Sequence, residues 1–192
     1  MTRRIWAGIA FITVSAIAFS TAVDLPPVLL WNASSSVPTG LYHLQSIDHL
    51  GPRLLVTVAA PDRIAAFIAE RGYLPPDIPL LKHVAGLPGQ IVCRIDRSIT
   101  VDGISLGEAQ HTDRRGRLMP VWRGCRRIAS DEVFLMNPDA ENSLDGRYFG
   151  PIPRNALLAE AIPIWITEDH AARETSTPDV ISNALITTTS TP

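Results

Sequence analysis

The strongest constraint on this chain is an uninterrupted apolar run near its start. Thr2-Arg3-Arg4 is followed by residues Ile5 to Val23 without a charge, and the next charged side chain is Asp24. That length matches the ~20 residues a helix needs to cross a hydrocarbon core. Two arginines precede the run and none directly follows it, which places the N-terminus in the cytoplasm and the remainder outside. The rival reading is a cleaved signal peptide, because Ala18-Phe19-Ser20 resembles a small-x-small cleavage site. The run is longer than a typical signal core, which favours an uncleaved anchor over residues 1–24. Either way, the domain that follows is exported.

With 192 residues in all, the exported part has room for one domain with a sizeable core. A charged fraction of 19% and a formal net charge of −2 give no basic footprint for nucleic acid. Export also changes how the two cysteines read, Cys93 and Cys125. Their spacing fits no zinc or thioredoxin motif, and in an oxidising compartment two cysteines of one small domain usually pair. Two free buried thiols remain the alternative.

The pattern after the anchor is that of a mainly β domain over residues 25–169. Leu25 to Trp31 reads as a proline-containing lead-in to a serine cluster. Arg53 to Ala60 is short, apolar and β-branched, as a buried strand is. Pro61 opens a helix through Glu70, with Ile64, Ala65, Phe67 and Ile68 along one side and Gly72 as its stop. Leu80 to Val84 forms a strand, and Ile91 to Ile95 with Ser98 to Val101 form a hairpin. Gln110 to Arg117 reads as an exposed polar loop, while Glu132 to Met136 and Ala161 to Ile166 complete the strands. From residue 170 to 192 the tail is rich in Thr and Ser and is expected to be mobile.

Three segments carry chemistry. Asn32-Ala-Ser-Ser-Ser-Val-Pro-Thr-Gly-Leu-Tyr42 sets three consecutive serines in a turn built on Pro38 and Gly40. Pro79 to Gln90 contains Lys82 inside a strand-like apolar stretch. Sixteen of the seventeen basic residues are arginine, and Lys82 is the one lysine. Burial disfavours an ammonium, so a buried lysine can be neutral near pH 7–8 and accept a serine proton. Arginine cannot do so, because its guanidinium stays protonated. A lysine on a strand edge with its head in water is the bland alternative. His83 next door points to the opposite face of a strand and reads as a surface residue. The third segment, Asn137 to Pro151, holds Ser143, Asp145 and Arg147. The last two are spaced to share one face of an extended stretch as a local ion pair.

Taken in order behind an N-terminal anchor, these segments resemble the S26 signal-peptidase family, and in particular the conjugative-transfer peptidases of TraF type. The N-x-x-x-S-[MV]-P-x-G-L-Y box stands as NASSSVPTGLY, the lysine box as LLKHVAGLPGQ, and the late S-x-D-x-R-Y-x-G-P box as SLDGRYFGP. The cysteine pair and the stretch Gly116 to Trp122 also look like that branch. The resemblance implies a signal-peptidase-type β domain with Ser36 as nucleophile and Lys82 as general base. It further implies an oxyanion hole from Ser34 and the Ser36 N–H, Ser143 orienting the lysine amine, and Asp145 with Arg147 as a supporting ion pair. A shift of the turn would make Ser35 the nucleophile instead. Departures from the pattern are Gln90, Gly146 and Met136-Asn137-Pro138.

The implied substrate is a propilin or other membrane-inserted precursor of a conjugation apparatus, cut on the periplasmic side of the inner membrane with no metal or cofactor. Hydrolysis and cyclisation of the product both fit. Rival functions are a general signal peptidase, a non-catalytic assembly subunit and a self-cleaving Ser/Lys regulator.

Overall fold

The computed structural model of the protein describes residues 3–22, 27–75 and 78–167. The expected tail over 170–192, and Asp24 and Leu25 at the expected anchor boundary, lie outside the described residues. Helix α1 spans Arg3–Ala22, with side chains described for 5–15. Among the described residues, no helix is long and apolar enough to cross a membrane.

The remainder is mainly β. In chain order it comprises β1 (Leu29–Asn32), β2 (Gly40–Gln45), β3 (Leu55–Val58), α2 (Asp62–Arg71), β4 (Leu80–Gly86), β5 (Ile91–Ile95), β6 (Ser98–Val101), β7 (Ile104–Glu108), β8 (Gly124–Arg127), β9 (Glu132–Leu135), α3 (Gly146–Phe149), β10 (Ile152–Pro153) and β11 (Leu157–Ile166). One sheet runs β1-β2-β11-β3-β4-β9-β10 and the other β7-β6-β5-β8. Strand β9 serves both cores. Val133 and Leu135 pack with Val56, Val84 and Ile68 under the large sheet. Phe134, one residue over, packs with Val92, Ile99 and Ile128 under the small one. Period-two alternation of side chains along the strand thus joins the two halves into one body.

Several expectations need correction. The lead-in to Trp31 contains a strand, β1, paired with β2 through Leu29↔His43 and Trp31↔Leu41. Helix α2 buries Ile64 and Ile68 as expected, but Ala65 is exposed. Gly72 ends it in the left-handed region at φ 61°, where a side chain would be strained. Strands β7 and β8 carried too little alternation to be foreseen, and β8 is exposed along its whole length. Only pairing with β5 reveals it. The polar segment 110–117 is largely exposed, as expected, and it is also held locally: Asp113 binds Arg117 at 2.7 Å and accepts from the Tyr73 hydroxyl at 2.6 Å.

Cys93 and Cys125 sit opposite each other on β5 and β8 and form a disulfide across a sequence separation of 32. A loop of that length constrains the unfolded chain by about 3–4 kcal/mol in the chain-entropy model. Cys93→Ser with Cys125→Ser is therefore expected to lower unfolding stability by about that amount, as urea titration would measure. A change under about 1 kcal/mol would show that β8 is held by its ladder alone.

Candidate active site

The serine turn lies between β1 and β2 and is organised by a buried asparagine. Asn32 Nδ2 donates to the carbonyls of Ser34, Val37 and Pro38 at 3.0–3.1 Å. Its Oδ1 accepts from both the backbone N–H and the hydroxyl of Ser34, at 3.0 and 2.8 Å. One side chain thereby satisfies a tight loop that has no ladder partners of its own. Gly40 closes the turn against β11, where a Cβ would fall 2.0 Å from the Trp165 carbonyl oxygen. The result leaves Ser34 and Ser35 exposed and Ser36 half-buried. Ser34 Oγ lies 3.2 Å from Ser36 Oγ.

Lys82 lies on β4 opposite Val56 of β3 and is only 5% exposed. In the strand order, β2 and β4 are separated by β11 and β3, which in a flat sheet would put them roughly 14 Å apart. Yet Lys82 Nζ is 3.5 Å from Ser36 Oγ. The sheet therefore curls, and the contact that seals the curl is apolar: Val37, next to Ser36, packs with Leu81, next to Lys82. On its other side Lys82 Nζ donates to Ser143 Oγ at 2.9 Å.

The lysine also borders an apolar cavity lined by Val58, Leu80, Leu135, Leu144, Phe149 and Ile152. Removal from water lowers its pKa from the ordinary 10.5 to about 8, against the pull of Asp145, which raises it, and with the push of Arg147, which lowers it. The amine is thus poised to exchange a proton near neutral pH.

Asp145 and Arg147 form an ion pair whose side chains are 0% and 1% exposed, with Nε 2.8 Å from Oδ1. They do not share an extended face, as their spacing suggested. Asp145 is the N-cap of α3 and accepts from the Arg147 backbone N–H at 3.1 Å. The guanidinium donates further to the carbonyls of Asn137 at 2.7 Å, Glu141 at 3.1 Å and Glu108 at 3.2 Å. This full complement of acceptors is what a buried charge requires. The departure at Gly146 has a steric reason here. A Cβ would sit 2.6 Å from both the Leu135 carbonyl oxygen and the Phe134 ring, so α3 docks this closely because the position is glycine. Trp122 holds the same turn by donating to the Gly146 carbonyl at 3.0 Å.

The structure thus gathers Ser34, Ser36, Lys82, Ser143, Asp145 and Arg147 around one point, while Cys93 and Cys125 belong to the other sheet. His83 is a correction: it is half-buried, and its Nδ1 lies 3.0 Å from Asn137 Oδ1. Two organising residues were not singled out from the sequence. Asn137 is 2% exposed and Arg94 is 2% exposed. Arg94 donates to the Arg147 carbonyl at 2.5 Å and to that of Pro120 at 3.2 Å. Its signal was a charge at an inward position of β5, whose neighbours alternate in burial.

The profile described as Signal peptidase, peptidase S26, matches residues 2–166 of the chain. The conjugal transfer protein TraF of Agrobacterium fabrum (strain C58) is 32% identical over 179 residues, which cover 86% of this chain and 98% of that one. The plasmid transfer protein TraF of Escherichia coli is 28% identical over 178 residues, covering 84% and 96% respectively. A solved signal peptidase I from Enterococcus faecalis V583 superposes with a TM-score of 0.37 at 16% identity, covering 60% of this chain and 98% of that one.

Proposed function

This chain belongs to the signal peptidase S26 family, and from that membership we propose that it is a serine endopeptidase using Ser36 and Lys82. Its substrate is a propilin or another membrane-inserted precursor of a conjugative transfer system. The observation that carries the proposal is one buried lysine whose Nζ reaches two serine hydroxyls, Ser143 at 2.9 Å and Ser36 at 3.5 Å.

The reaction follows from that geometry. Neutral Lys82 takes the proton of Ser36 as Oγ attacks the peptide carbonyl carbon. The oxyanion is met by the Ser36 N–H and by the Ser34 hydroxyl, which turns from Asn32 Oδ1 to do so. As the C–N bond breaks, Lys82 returns the proton to the leaving amine, and an acyl ester remains on Ser36. Water, or an amine of the substrate itself, then attacks the ester. Lys82 accepts that nucleophile's proton and restores the Ser36 hydroxyl. Ser143 keeps the amine aimed, and the Asp145–Arg147 pair keeps Ser143 in place.

An anchor in the inner membrane with the domain on the periplasmic side suits this role, and surface chemistry supports it. Trp31 and Trp165 stack with ring centroids 5.8 Å apart and are each 56% exposed, beside Leu29 at 51% and Ile164 at 56%. Exposed aromatic pairs of this kind suit a bilayer interface. The strand that carries Trp31 begins seven positions after α1 ends.

The test is processing of a co-expressed propilin, followed by intact mass. Ser36→Ala should leave the precursor uncut, and chelators should have no effect. The reverse pattern would sink the mechanism. A product lighter than the linear peptide by one water would identify ring closure. Equal cutting of unrelated secreted precursors would favour a general signal peptidase.

The pH dependence has a definite sign. Only neutral Lys82 accepts a proton, so kcat/KM rises with pH and levels off above about 8. About one pH unit below that midpoint, activity should be roughly a tenth of the plateau. An acid limb centred below pH 6 would point to a carboxylate or histidine base instead.

A further inference from the structure

Strand β9 ends at Leu135, yet β4 continues beside it through Lys82. The main-chain groups of β4 that face β9 are those of Leu81 and His83, since the His83 carbonyl still accepts from the Met136 N–H at 3.0 Å. Two residues past the end of β9, the chain turns away and Pro138 offers no N–H. The Leu81 carbonyl and the His83 N–H would then be left unpaired in the interior. The side chain of Asn137 fills both positions. Its Nδ2 donates to Leu81 O at 3.2 Å, and its Oδ1 accepts from His83 N at 3.0 Å. A primary carboxamide carries a donor and an acceptor side by side, as a peptide group does, so it extends the ladder by one step. The main chain of Asn137 is tied at the same time to the ion pair. Its N–H donates to Asp145 Oδ2 at 3.0 Å and its carbonyl accepts from Arg147 at 2.7 Å.

We propose that Asn137 is a positioning residue for Lys82, a stand-in peptide group that grips β4 on both sides of the lysine and fixes it relative to Ser143 and the Asp145–Arg147 pair. This deepens the Ser/Lys assignment and rests on it. The carboxamide is 2% exposed with the rest of its residue, and its Oδ1 also lies 3.0 Å from His83 Nδ1. The groups that act on the Lys82 amine are few. Asp145 favours its charged form and Arg147 opposes it, while Ser36 and Ser143 are neutral hydroxyls. β3 offers the apolar Val56 opposite it. On the loop, Asp139 and Glu141 are exposed, and the His83 ring is engaged with Asn137 itself. Loosening β4 admits water to the amine, and water restores the ammonium.

The chain holds one lysine, so isotope-labelled lysine gives a single side-chain resonance that reports Lys82 without reference to activity. Two variants of the full chain are compared with wild type: Asn137→Gly, which removes the carboxamide but keeps both main-chain links, and Asn137→Asp, which keeps the acceptor and replaces the donor with a carboxylate. Both should remain folded by thermal melting and shift the Lys82 titration upward from about 8 by about one unit. kcat at pH 7 should fall about tenfold, KM should change less than about twofold, and raising the pH should recover much of the loss. Folded variants with an unshifted titration and kcat within about twofold of wild type would overturn the assignment. So would failure of both variants to fold, which would make Asn137 a residue of fold stability alone. The titration stands apart from catalysis: if Lys82→Arg proved active, the Ser/Lys chemistry would fall, while the titration would still judge Asn137.

Discussion

Lys82→Arg is expected to abolish precursor processing, by roughly 10³-fold or more, in a protein that still folds. Arginine keeps the positive charge and much of the aliphatic stem, so it tests proton transfer and not charge. Its guanidinium stays protonated at any working pH, and a permanently protonated group beside Ser36 Oγ cannot take the hydroxyl proton. The native amine can, because burial against Val58, Leu135 and Ile152 brings its pKa down to about 8. Ser36→Ala should cost a similar factor. The double variant should be little worse than either single one, since a nucleophile and its base act as a unit. Initial rates on one purified precursor, with melting curves beside them, decide the matter. A Lys82→Arg protein keeping more than about a tenth of wild-type activity would remove the lysine as base and bring a non-catalytic assembly role forward.

The second large effect is on stability. Asp145→Asn should lower unfolding free energy by about 3–5 kcal/mol, although the change swaps one oxygen for nitrogen. The carboxylate accepts from the Arg147 side chain at 2.8 and 3.1 Å and from the backbone N–H groups of Asn137 and Arg147 at 3.0 and 3.1 Å. Removing its charge strands a guanidinium that is 1% exposed, and an unpaired buried charge costs more than the pair contributes. For the same reason, replacing both residues with apolar ones should cost less than the sum of the single losses. Urea titration of the two singles and the double completes that cycle. A loss for Asp145→Asn below about 1 kcal/mol would mean that water reaches Arg147.

Lysine usage was legible because it is a chemical choice. One lysine among sixteen arginines, set in an apolar strand, singles out Lys82 as a candidate base before any fold is known, with a water-facing strand-edge lysine as the alternative. Ser36 was another matter. Among three serines in a row, only the resemblance marked out Ser36, the one before Val37-Pro38, and the curl of the large sheet is what brings its hydroxyl 3.5 Å from Lys82 Nζ. Asp145 and Arg147 were recognisable as partners from their spacing, but not as an N-cap and a buried hub. The short helix α3 forms because Asp145 caps it and Gly146 lets it close on Phe134. His83 was misjudged because strand alternation says which face a side chain takes and not what lies there. That face is occupied by Asn137, fifty-four residues away. Strands β7 and β8 were invisible for a related reason. An exposed edge strand has no inward face to impose alternation, and only its ladder defines it.

Residue type and local periodicity are properties of neighbours along the chain, so the amino-acid order was enough to indicate the mainly β body, the order of the three candidate segments and their resemblance to the S26 family. Only the fold sets the distances among Ser36, Lys82 and Ser143, the desolvation that lowers the Lys82 pKa, and the contacts of Asn137. Each depends on groups from β1–β2, β4 and the loop after β9 meeting in space, and on water being excluded where they meet.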